Sequence, residues 1–257
     1  MPVTDSKAVI TPLTDEPWVH LADGKELAGW EKEDEIAYNQ ANRQMGKYQM
    51  FVSAMDFLGE NRVNGDYFEF GCHRCRTFRM ALTEARRHNM DDMEFFAFDS
   101  FEGLPEVQTD PSVDIWKQGV LATSVERFME LVNEHGIYAD RVHTVKGYYD
   151  ESLTPALRDE MTNAGRQAAL ITVDCDLYES AVPVFEFIEP FVQEGTLIYM
   201  DDLFCGYKGS PHKGVAKAFI EYQEKSKFSF QPHMNVGWWG RTYIAYLPEA
   251  GVPEGHV

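Results

Sequence analysis

From Asp66 onward the sequence alternates between short runs of aliphatic and aromatic residues and amphipathic stretches of helical length. This alternation is the strongest constraint on the fold. Parallel neighbours in a sheet need a long crossover, a helix supplies it, and the repeated unit then buries both faces of the sheet. The strand candidates are DYFEFG from Asp66, EFFAFDS from Glu94, RVHTVKG from Arg141, AALITVDCD from Ala168 and TLIYMDD from Thr196. The spacing predicts helices beginning near Thr77, Ser124, Leu153, Ser180 and Lys213. Each strand-to-helix joint falls at a Gly, Asp or Ser, residues that accept turn conformations and cap helices.

The last two strand candidates, near Phe228 to Met234 and Arg241 to Leu247, have no helix between them. They must pair antiparallel. The expected fold is therefore α/β: a doubly wound, mostly parallel seven-stranded sheet that ends in an antiparallel hairpin. A dinucleotide-binding Rossmann domain continues with parallel units, whereas the hairpin ending is the arrangement of class I methyltransferases. Residues 1 to about 34 read as irregular and Glu35 to Leu58 as one or two helices, a lid or dimer element. The expected organisation is an N-terminal segment over 1–60 and a catalytic domain over 61–257.

With 257 residues, of which 44% are hydrophobic, the chain can bury one substantial core. Its formal charge of -19 is spread along the sequence and repels phosphate backbones and anionic lipid headgroups, so neither nucleic acid nor a membrane is an expected partner. No apolar run approaches the ~20 residues that cross a bilayer, and Met1 to Pro12 lack the basic start and apolar stretch of a leader. A cytoplasmic location is expected. Cys72, Cys75, Cys175 and Cys205 are too few for a disulfide scaffold. Cys72-His73-Arg74-Cys75 has a spacing that can chelate zinc but lacks a second such pair, and buried thiols are the competing reading.

In an open parallel sheet, ligands bind beyond the carboxyl ends of the strands near the switch in strand order. The first strand exits as Glu69-Phe70-Gly71-Cys72-His73-Arg74-Cys75-Arg76-Thr77. Gly71 permits close backbone approach, and the amides opening the next helix can hold a carboxylate. A pyrophosphate asks for the fuller G-x-G-x-x-G, which is absent. S-adenosylmethionine has no phosphate and presents an amino-acid end, for whose ammonium Glu69 is a natural partner; a turn glycine beside a surface acid is the plainer alternative. The second strand ends in Asp99-Ser100, where an acid can accept both ribose hydroxyls or cap the next element. The third runs into Gly147-Tyr148, an aromatic near the expected adenine position or simply a core residue.

The fourth strand exits as Asp174-Cys175-Asp176 and the fifth as Asp201-Asp202. These strands are expected neighbours, and three carboxylates that close cannot all stay ionised without a cation. All-oxygen ligation suits Mg²⁺, with Ca²⁺ or Mn²⁺ next. A metal there lowers the pKa of an acceptor hydroxyl, and Asp174 can serve as both ligand and catalytic base. Helix capping by Asp176 or Asp202 is the structural alternative. Rival functions also use a D-x-D after a strand. A phosphatase of the haloacid-dehalogenase type would carry it on the first strand with Thr or Val where Tyr178 stands. A glycosyltransferase would leave Asp99 and the Asp201-Asp202 pair without a role.

The segments EFGCHRCRT, FDSFEGLPE, VKGYYDESL, DCDLYES and EGTLIYMDD, in this order and spacing, resemble the TylF/macrocin O-methyltransferase family over roughly Asp66 to Tyr222. The resemblance implies a Mg²⁺-dependent O-methyltransferase acting on a small-molecule hydroxyl, often on a sugar of a glycosylated natural product. It also implies a homodimer or higher homo-oligomer. Asp174, Asp201 and Asp202 match the metal ligands. Glu69, Gly71, Arg74 and Asp99 match cofactor-loop and ribose positions, to which Thr77, Ser100, Gly147, Tyr148 and Asp174 are added as cofactor candidates. Where the family has a glycine pair after the loop arginine, this chain has Cys75 and Arg76, the feature that favours a non-catalytic ligand-binding protein on the same fold. Gly209 to Gly214, and Trp238 with Trp239, are expected on the acceptor side, with plain packing the equal alternative for the two tryptophans.

Overall fold

The computed structural model describes residues 24–105, 119 and 121–249. Residues 1–23, where an irregular N-terminus without a leader is expected, lie outside the described residues, as does Glu106 at the end of FDSFEGLPE. The chain divides into two compact units that part between Arg43 and Gln44. In the first, helix α1 covers Gly24–Ala28 and helix α2, Lys32–Asn61, begins. Trp30 packs on Tyr38 with ring centroids 5.1 Å apart. Residues 24–34 are thus more helical than expected, and α2 is one helix rather than two. Glu33, Asp34 and Glu35 fill its first turn, where the helix dipole favours acids, and the Glu31 amide donates to the Asp34 carboxylate at 3.0 Å. Those turns are exposed and carry no apolar periodicity, so the pattern is silent there.

The second unit contains the rest of α2 and then β1 (Asp66–Phe70), α3 (Arg76–Arg87), β2 (Phe95–Asp99), α4 (Val125–His135) and β3 (Val142–Lys146). It continues with α5 (Tyr149–Ser152), α6 (Pro155–Asn163), β4 (Ala168–Val173), α7 (Tyr178–Ile188), β5 (Leu197–Met200), α8 (Gly214–Gln223), β6 (Ser229–Val236) and β7 (Gly240–Tyr246). The seven-stranded sheet has the order β3-β2-β1-β4-β5-β7-β6. Strands β1 to β5 pair parallel, and β7 runs antiparallel to both β5 and β6, as the missing helix requires. The helix expected from near Leu153 is α6, and the four-residue α5 ahead of it was not expected. Thr154 caps α6, accepting from the Leu157 amide at 3.2 Å, and Pro155 at its first position cannot continue a preceding helix.

Side chains alternate across β1. Tyr67 faces a cluster built from α2, α3 and α4 that includes Phe51, Phe78 and Phe128. Phe68 and Phe70 face the opposite cluster, with Phe185 of α7 and Phe219 of α8. From Lys47 onward α2 buries Met50, Phe51, Ala54, Met55 and Leu58, a stripe at helical spacing. The stripe makes this part of α2 a core element. No helix among the described residues is long and apolar enough to cross a membrane.

Truncation should separate the two parts of α2. Phe51 is fully buried whereas Ile36 is 50% exposed. Phe51→Ala is expected to cost about 3–5 kcal/mol in urea unfolding, and Ile36→Ala no more than about 0.5 kcal/mol. Equal effects would show that the buried stripe does not anchor the helix.

Candidate active site

The parallel register brings the strand ends into one row. Phe98 pairs with Phe70, Phe70 with Val173, and Val173 with Met200. The next residue of each strand is then Asp99, Gly71, Asp174 and Asp201 in turn. Backbone bonds carry the alignment past the strands: the Gly71 amide donates to the Phe98 carbonyl at 3.0 Å, Asp174 to Phe70 at 2.8 Å and Asp201 to Val173 at 3.0 Å. At Gly71, with φ +93°, a Cβ would lie 1.8 Å from the Asp174 carbonyl oxygen. No other residue fits between the two acidic strand ends.

Asp174, Asp201 and Asp202 each present an oxygen within 4.8 Å of the others. Asp201 is gripped on both sides. Its Oδ1 accepts from Tyr199 Oη and from Trp239 Nε1, the latter at 3.1 Å, while its Oδ2 accepts from Lys47 Nζ at 2.8 Å. Lys47 Nζ also donates to Asp174 Oδ2 at 3.1 Å. Asp202 Oδ2 is buried without a hydrogen-bond partner. Burial, reinforced by Asp201, pushes the Asp174 carboxyl well above the usual range; burial with Asp176 and Asp201 does the same to Asp202. Burial pulls Lys47 down, but the Asp174 and Asp201 carboxylates outweigh it and hold the ammonium above its ordinary value. Capping does not account for these acids. Leu177 holds the cap position of α7 and Lys213 that of α8, neither with a side-chain capping bond.

Lys47 is the residue that sequence reasoning missed. The signal was present: position 47 lies on the same helical stripe as Met50, Phe51, Ala54 and Leu58, where a lysine is buried only with partners. The two tryptophans separate in role. Trp239 is buried against Asp201, while Trp238 is 68% exposed at the β6–β7 turn.

The first-strand loop is built around two acids. Glu69 is fully buried, its Oε1 accepting from Thr77 Oγ1 at 2.7 Å and its Oε2 from Tyr67 Oη. Burial pushes its carboxyl up to about 8 despite those bonds. Asp99 Oδ2 accepts from the Cys72 amide at 2.6 Å and Oδ1 from the Phe101 amide at 2.7 Å, so this carboxylate ties the β1 and β2 loops together. Ser100 Oγ turns back to the Gly103 carbonyl at 2.7 Å. Gly147 ends β3 with φ +140°, and the half-buried Tyr148 opens α5. Tyr149 rather than Tyr148 reaches the sheet, donating to the Phe98 carbonyl at 3.2 Å.

Arg74 is exposed and left-handed, and Cys75 behind it is also left-handed, with φ 55°. Cys75 therefore occupies a conformation that glycine enters freely. Its thiol is buried in the cluster shared with α3, and burial pushes it up to about 12, the behaviour of an inert packing residue. Among the described residues the only group of three or more potential metal ligands is the aspartate trio. The zinc reading of Cys72 and Cys75 gains no third ligand.

The mostly parallel sheet with its antiparallel ending is that of class I O-methyltransferases. The fold is similar to the solved O-methyltransferase NovP (TM-score 0.64, 21% identity, 77% of this chain and 79% of that one). It is also similar to CalS11, a calicheamicin methyltransferase (TM-score 0.63, 19% identity, 86% and 88%). The family model of the macrocin O-methyltransferase TylF matches residues 33–244, and the chain belongs to that family. Among characterised relatives, a tetracenomycin rhamnosyl 4'-O-methyltransferase of Streptomyces olivaceus is 30% identical over 146 residues, 54% of this chain and 53% of the relative. The demethyldecarbamoylnovobiocin O-methyltransferase of Streptomyces niveus is 28% identical over 153 residues, 57% and 55%. These matches span about half the length of each relative.

Glu69 gives the fold a pH signature. Its carboxyl titrates near 8 when folded and near 4.5 in the reference state. Stability that is complete below pH 4.5 is therefore lost as pH rises toward 8, by at most about 1.4 kcal/mol per unit. Glu69→Gln should match the parent at pH 5 and exceed it increasingly up to pH 8–9 in ligand-free urea midpoints. A gap that does not change with pH would contradict the assignment.

Proposed function

We propose that this chain is a divalent-metal-dependent O-methyltransferase that transfers the methyl group of S-adenosylmethionine to a hydroxyl of a small molecule, a sugar of a glycosylated natural product. The observation that carries this reading is the convergence of Asp174, Asp201 and Asp202, with Asp202 Oδ2 buried and unpartnered. A buried carboxylate oxygen without a donor is costly unless a cation completes it. These three would hold the ion, and an all-oxygen set suits Mg²⁺, with Ca²⁺ or Mn²⁺ next. When bound, such an ion lowers the pKa of the acceptor hydroxyl and orients a vicinal diol. The sugar acceptor is supported by the relatives, one of which is named for a rhamnosyl substrate.

Asp174 is the assigned base. Its place at the β4 exit, beside the other two acids, suits its carboxylate to take the hydroxyl proton as the oxygen attacks the sulfonium methyl. The new O–C bond forms as the S–C bond breaks, and the donor leaves as the neutral thioether. Glu69, Gly71, Arg74, Thr77, Asp99, Ser100, Gly147 and Tyr148 are assigned to the cofactor. Asp99 is fixed by two backbone amides, which leaves lone pairs for the hydroxyls of a ribose. Cys75 does not argue against turnover, because its thiol is buried in the core. Alignment and exclusion of water at this edge then supply much of the rate. A cytoplasmic homo-oligomer is the setting this reading assigns.

Calorimetry with S-adenosylmethionine, with and without Mg²⁺, followed by methyl transfer to a panel of rhamnosides, tests the reading. Asp202→Ala is expected to lower metal-dependent turnover by at least about a hundredfold while sparing cofactor binding. Turnover unchanged by that substitution, or no cofactor binding under either condition, would refute it.

A further inference from the structure

We propose that Lys47 is a built-in competitor for the metal: its ammonium stands in the cation position between Asp174 and Asp201, and the divalent ion binds by displacing it. The inference rests on the metal reading above and concerns a residue that lies far from the metal motif in sequence. Lys47 Nζ is 2.8 Å from Asp201 Oδ2 and 3.1 Å from Asp174 Oδ2, so it bridges two of the three ligand carboxylates. An ion of Mg²⁺ size, ligated at about 2.0–2.1 Å, would lie between those same oxygens. Two cations sharing that space in a buried setting repel strongly.

The alternatives for Lys47 are weaker. An exposed ion pair would do little, but this lysine is only 9% exposed, and its hydrogen-bond partners among the described residues are Asp174 and Asp201. Its charge is also too small for the site. With all three acids ionised, as a metal site requires, one ammonium leaves a net charge of -2, and Asp202 Oδ2 still lacks a donor. A divalent ion satisfies what Lys47 cannot. The lysine has the reach to yield, since its ammonium sits on a flexible four-carbon stem while its backbone is anchored by Met50 and Phe51 one turn further along α2. Asp201 cannot turn away in its place, being held through Oδ1 by Tyr199 and Trp239.

The test compares Mn²⁺ affinity, by electron paramagnetic resonance of free Mn²⁺, in the full-length parent, Lys47→Met and Lys47→Arg, all without cofactor. Removing the competing charge should tighten Mn²⁺ binding at least about tenfold, while the arginine variant stays within about threefold of the parent or binds more weakly. Lys47→Met should also show a larger Mn²⁺-induced rise in Tm, because its metal-free cluster is uncompensated. Should that variant not fold, ¹⁵N spectra of lysine ammonium groups in the parent answer the question directly. A protected ammonium signal is expected without metal and should vanish on adding Mg²⁺. Parent and Lys47→Met binding Mn²⁺ equally, weaker binding by the variant, or an ammonium signal that survives saturating Mg²⁺ would overturn the proposal and leave the metal reading intact. Absence of Mn²⁺ binding in every form would overturn both.

Discussion

Like charges brought together at low dielectric are the constraint on which this molecule turns. The sheet register sets Asp174 beside Asp201, with Asp202 following on the same strand end, and burial raises the cost of ionising Asp174 and Asp202. Such an arrangement persists only if the surroundings supply positive charge and donors. They do so unevenly. Asp201 receives a phenol, an indole N–H and an ammonium, Asp174 receives the same ammonium, and one oxygen of Asp202 receives nothing. The proposed metal site accounts for this asymmetry, because a cation would complete the oxygen that no donor reaches.

The antiparallel hairpin serves this cluster as well as closing the sheet. Trp239 opens β7 and reaches Asp201, and its neighbours are shaped to let it do so. A Cβ on Gly237 would strike the Trp239 ring at 2.0 Å, and one on Gly240 would lie 2.7 Å from the Met200 carbonyl oxygen. The turn from β6 to β7 therefore has a geometric reason for its two glycines. Gly71 likewise links the loop after β1 to the cluster, its missing side chain letting the β1 exit pass over the Asp174 carbonyl.

Much of this was legible in the sequence because it depends on strand ends. Strand position, parallel pairing and the terminal acids follow from periodicity and from residues adjacent in the chain, so Asp99, Asp174, Asp201 and Asp202 could be placed before any coordinates. The aspartate cluster was read through repulsion alone, and its partial neutralisation by Lys47 was not, because that contact spans 127 residues and crosses from a helix to the sheet. Periodicity marks a buried lysine as anomalous without naming its partner. Helix starts were less legible where exposure removes the apolar pattern, as at Lys32, or where a helix is too short to show a periodicity, as in the four-residue α5.

The origin of Lys47 on α2 couples packing to charge. Successive helical residues are about 100° apart, so a one-residue slip would carry Lys47 off the cluster and Phe51 off the core together. The buried stripe from Met50 to Leu58 fixes the register that aims the ammonium, and Gly46, whose Cβ position lies 3.5 Å from the Trp239 ring, sets the same turn of helix against the hairpin. Hydrophobic burial thereby holds a cation at an acidic edge to which its own solvation would never take it. The four-carbon stem above that anchor has rotatable bonds that the backbone lacks. A cation aimed by the core but tethered flexibly can neutralise two carboxylates in one state and give way to a stronger charge in another, without any change in the sheet that presents them.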